Sequence, residues 1–68
     1  MTLSARNHLK GKIEDIQLGD VLVLVTVRVG TDVIDSVITR RSAEEMGLKK
    51  GDTVTAVVKA TEVMIAKE

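Results

Sequence analysis

The chain has 68 residues with no cysteine, one histidine and no Phe, Tyr or Trp, and its ten basic and ten acidic side chains cancel. That composition excludes disulfides, thiolate or histidine-rich metal centres, long-range attraction of polyanions, and the aromatic faces on which single-stranded nucleic acid stacks. At this length burial roughly balances an ordering cost of about 1.5 kcal/mol per residue, so a single domain over residues 1–68 needs a further source of stability, and self-association is the one left open.

The first residues are polar where a signal peptide would be apolar. The longest apolar run, Val21 to Val25, is far short of the roughly 20 residues of a membrane helix. The chain reads as a complete cytoplasmic protein. Its first distinctive stretch is Ser4-Ala5-Arg6-Asn7, which holds a hydroxyl, a guanidinium and a carboxamide with no apolar bulk between them. Such a donor cluster suits an anion whose atoms only accept hydrogen bonds.

From Asn7 to Leu18 the apolar positions Leu9 and Ile13 follow one parity, and Ile16 and Leu18 follow the other. A period-2 strand that changes face at Glu14-Asp15 predicts a β-bulge, and Gly11 allows the curvature of a small barrel. Leu18-Gly19-Asp20 is a turn. The next strand spans Val21 to Val29, with Val21, Val23, Val25, Val27 and Val29 on one face. Its other face carries Leu22 and Leu24, which a neighbouring subunit would cover.

Gly30-Thr31-Asp32 forms a hairpin turn into a third strand, Val33 to Thr39. Arg40 to Met46 lacks β-branched residues; Thr39 or Ser42 can cap its start and Gly47 its end, so it predicts a short helix. Lys49-Lys50-Gly51-Asp52 is a polar turn. A fourth strand follows from Thr53 to Lys59, with Val54, Ala56 and Val58 inward, and a fifth from Val63 to Ala66. Between them Lys59-Ala60-Thr61 offers an ammonium and a hydroxyl, a second donor cluster. Three strands, a helix and two strands give an all-β protein with one short helix, an OB-fold-like five-stranded barrel. A five-stranded open sheet packed by the helix fits the same pattern. Met46 and Met64 read as core filler and Met1 as the initiator.

Three segments together carry a family resemblance: Ser4-Ala5-Arg6-Asn7-His8-Leu9-Lys10-Gly11, Ser36-Val37-Ile38-Thr39, and Thr55-Ala56-Val57-Val58-Lys59-Ala60-Thr61-Glu62-Val63-Met64-Ile65. In this order, over essentially the whole chain, they resemble the molbindins, the molybdenum-pterin-binding-protein family. The resemblance implies an OB-like fold, a homohexamer built as a trimer of dimers, and molybdate or tungstate bound at subunit interfaces for storage and homeostasis, without catalysis. It places the molybdate-binding residues at Ser4, Ala5, Arg6 and Asn7 and at Lys59, Ala60 and Thr61. His8 departs from the glutamine expected there in many relatives. The alternative is a molybdate-sensing module that acts on a partner protein, since the same domain occurs in molybdate-responsive regulators.

Molybdate and tungstate are tetrahedral dianions with four acceptor oxygens, so a fitting site presents donors alone. Arg6 can offer a fork and Lys59 a compact ammonium, with Ser4, Thr61 and the backbone N–H groups of Ala5 and Ala60 completing the shell. No side chain serves as a direct metal ligand. The plainer readings are that Arg6 pairs with Glu14 or Asp15, that Lys59 is a solvated strand end, that Ser4 and Thr61 cap turns, that Asn7 holds the loop and that His8 is a partly exposed strand residue.

Overall fold

The computed structural model describes residues 2–68; the initiator reading of Met1 lies outside them. Its organising element is β1, Asn7–Leu18, a strand of 12 residues that pairs with two partners in succession. The first half pairs antiparallel with β4 (Thr53–Val58), from Asn7↔Val58 to Lys12↔Thr53. The second half pairs with β2 (Leu22–Val29), from Lys12↔Arg28 to Leu18↔Val23. The register slips between Ile13 and Asp15, leaving Glu14 as the extra residue of a bulge, where the parity of the apolar side chains changes. There Glu14 meets Arg28 in an ion pair of 2.6 Å.

Gly30, with φ +63, turns β2 into β3 (Asp32–Thr39), and the two pair from Leu22↔Thr39 to Val29↔Asp32. The sheet order is therefore β3-β2-β1-β4. β3 and β4 are its edges and do not pair with each other, so the sheet curls into an OB-like half-barrel.

The concave side is the core. Ile13, Val23, Val25, Val27 and Ala43 are buried, and Ile16, Val29, Ile38, Leu48 and Val54 pack against them. The helix α1, Arg40–Met46, has its boundaries set by chemistry that the sequence displays. Thr39 is the N-cap, its hydroxyl accepting from Ser42 N–H at 3.1 Å, a bond worth about 1 kcal/mol to the helix. Gly47, at φ 61, is the left-handed C-cap. Ala43 is the residue the helix buries.

Three expectations need correction. Met46 and Met64 are not core filler, being 60% and 92% exposed. Strand ends shift by one residue: Val21 lies before β2, β3 starts at Asp32 and not Val33, and β4 ends at Val58 and not Lys59. The fifth strand, Val63 to Ala66, is not formed: after β4 the chain makes a 3-10 turn over Ala60–Glu62 and then has no regular structure. A strand exists only where another offers it hydrogen bonds, and among the described residues no strand pairs with Val63, Met64 and Ile65. Met64 and Ile65 are consequently almost fully exposed.

The unclosed side of the half-barrel is a trough of about 250 Å³ between β3 and β4, lined largely by apolar side chains that include Ile34, Ile38, Leu48, Val54 and Ala56. On the outer face Leu22 is exposed and Leu24 half-buried. None of the helices in the described residues is long and apolar enough to cross a membrane.

Candidate functional site

The two donor clusters, more than 50 residues apart in sequence, meet because β1 and β4 pair at the ends that carry them. Asn7↔Val58 is the last pair of that ladder. Ser4 and Arg6 therefore precede it on one side, and Lys59, Ala60 and Thr61 follow it on the other. Ser4, Arg6, Lys59, Ala60 and Thr61 line one open concavity of about 260 Å³, and its lining includes no carboxylate.

The donors are unspent. Glu14, which the plainer reading offered to Arg6, is held by Arg28 instead. Among the described residues neither Arg6 nor Lys59 has an ion-pair partner. The 3-10 turn is not capped by a side chain. Its bonds run from Glu62 N–H to the Lys59 carbonyl and from Val63 N–H to the Ala60 carbonyl. The N–H groups of Ala60 and Thr61, at the start of the turn, have no partner within it. Two cationic and two hydroxyl-bearing residues thus line one concavity together with Ala60, and no acidic residue is among them.

Ala5 and Asn7 stand beside the concavity and not on its lining. Asn7 is half-buried and donates from Nδ2 to the Val58 carbonyl at 3.2 Å. That bond secures the residue immediately before Lys59 to the start of β1, and the sequence left Asn7 between such a loop-holding role and contact with the anion. The Ala5 carbonyl meets His8 Nε2 at 2.9 Å. Sequence reasoning assigned His8 no partner, because its partner is a backbone carbonyl, which no spacing of side chains reveals. Among the described residues no group of three His, Cys, Asp or Glu is placed to hold a metal ion.

Residues 3–65 match the TOBE domain family. The chain is 47% identical over 66 residues to molybdenum-pterin-binding protein 2 of Clostridium pasteurianum, covering 96% of this chain and 97% of that protein. In structure it is similar to a molybdate-binding protein from Sporomusa ovata, with a TM-score of 0.94 at 34% identity over 98% of this chain and all of that one. It also matches ModG, described as a cytoplasmic molybdate-binding protein and solved with molybdate bound, with a TM-score of 0.83 at 39% identity, over 88% of this chain and 43% of ModG. A domain match over nearly the whole length, together with relatives this similar end to end, places the chain in the molybdenum-pterin-binding protein, or molbindin, family of TOBE-domain proteins, a family of binding proteins and not of enzymes.

Proposed function

We propose that this chain is a cytoplasmic molybdate- and tungstate-binding protein that stores and buffers the oxyanion, held at subunit interfaces of a homohexamer built as a trimer of dimers. The observation that carries this reading is the convergence of Ser4, Arg6, Lys59, Ala60 and Thr61 on one carboxylate-free concavity. Each charge-assisted hydrogen bond to a dianion there contributes on the order of 1.5–3 kcal/mol net, so four to six of them give tight binding after ordering costs. The molybdate bound in ModG supports the choice of ligand.

The concavity is open on one side, and one chain cannot surround a tetrahedral anion with the few donors it supplies. The same chain leaves an apolar trough uncovered and an apolar C-terminal segment without a partner. Pairing between copies accounts for all three, with Val63 to Ala66 becoming the fifth strand of the barrel only in the assembly. In this reading Ala5, through its backbone N–H, and Asn7 are anion-binding residues as well, and Asn7 also ties Val58 to the start of β1.

Isothermal titration calorimetry tests the ligand class. Molybdate and tungstate are expected to bind and to displace each other. Phosphate carries a proton near neutral pH that a donor-only shell leaves unpaired, so it is expected not to compete even in large excess. Equal binding of phosphate and molybdate contradicts the reading.

A further inference from the structure

We propose that His8 is a positioning residue for the oxyanion site, a strut that sets the direction of the Ala5–Arg6 peptide; this rests on reading Ser4, Arg6, Lys59 and Thr61 as the anion's donors. His8 Nε2 lies 2.9 Å from the Ala5 carbonyl oxygen. That oxygen can only accept, so Nε2 carries a proton, in the neutral Nε2–H tautomer as in the imidazolium.

No peptide bond among the described residues is cis. With the Ala5 carbonyl turned to His8, the Arg6 N–H on the same peptide therefore points the opposite way. A half-turn of that peptide would exchange the two directions and change the backbone angles at Ala5 and Arg6, and with them the direction in which the Arg6 side chain leaves the chain.

Little else holds the segment. The chain bends at Ser4, β1 begins at Asn7, and outside the sheet ladder no backbone hydrogen bond ties residues 2–6 to the rest of the described chain. Consecutive residues thus fix the two halves of the site. Asn7 secures the Lys59 side through Val58, and His8 secures the Arg6 side through Ala5.

Two substitutions separate the donor from the bulk of the ring. His8→Leu keeps an apolar body and loses the N–H; His8→Gln places an amide N–H near the position of Nε2. Molybdate affinity is read by calorimetry, and the order of the Ala5 and Arg6 amides by heteronuclear NOE on anion-free protein. In the leucine variant affinity is expected to fall about fivefold, the range of one lost neutral hydrogen bond. Its melting temperature stays unchanged while the Ala5 and Arg6 NOEs fall, and glutamine restores both readouts. Unchanged affinity and unchanged NOEs in His8→Leu overturn the proposal, and so does a glutamine variant as impaired as leucine. Should the unsubstituted protein take up no molybdate, the functional reading fails on that result alone, and the NOEs on anion-free protein still decide whether His8 holds the peptide.

Discussion

Replacing Arg6 with alanine is expected to weaken molybdate binding by about 10- to 100-fold while leaving the melting temperature in place, the loss of one charge-assisted fork. Arg6 is exposed and, among the described residues, has no ion-pair partner, so its removal unpairs nothing in the free protein. In the complex the anion would face one cation, Lys59, where it had two. Arg6→Lys is expected to fall between the two proteins, because an ammonium keeps the charge and gives up the planar pair of donors. Calorimetry on the three proteins decides it. Alanine and arginine proteins of equal affinity would place the anion elsewhere.

Gly11→Ala is expected to destabilise the scaffold strongly. β1 changes partner from β4 to β2 beside Gly11 and crosses close to the end of β2. A Cβ at position 11 would lie 2.4 Å from the Arg28 carbonyl oxygen and 2.9 Å from both Val27 Cγ1 and Val29 Cγ2. The nearest of these is backbone held in two ladders, so it cannot swing aside as a side chain would. Overpacking of this kind costs roughly 1–3 kcal/mol, and the upper end applies where the backbone must move. A domain of this size has roughly 3–10 kcal/mol in total. Chemical denaturation should show a lowered midpoint, and loss of the β1–β2 register would remove molybdate binding with it. A midpoint within error of the parent protein would mean that β1 does not cross β2 at this distance.

The legible parts of the fold were those whose cause is local. The bulge at Glu14 is written in the switch from Leu9 and Ile13 to Ile16 and Leu18, since one extra residue inverts a period-2 pattern. The helix is written in Thr39, the unbranched run behind it and Gly47. Val63 to Ala66 carries strand-forming residues too, yet it has no ladder to join in the single chain. Propensity says which residues suit a strand and nothing about whether a partner is present.

A similar division holds in the site. Ser4, Arg6, Lys59 and Thr61 stand out in the sequence by their donor chemistry, and the pairing of β1 with β4 explains why they line one concavity. The contacts of Asn7 and His8 were less legible, because both bond to main-chain oxygens, Val58 and Ala5, whose positions follow from the fold. Sequence spacing reports side chains to one another and is silent about carbonyls.

In the proposed assembly several copies of this chain jointly enclose a bare oxyanion. Native mass spectrometry of the full chain with and without molybdate tests it most directly. Hexamers that gain the mass of several molybdate ions are the predicted result, while a monomer that takes up one molybdate with undiminished affinity would contradict it.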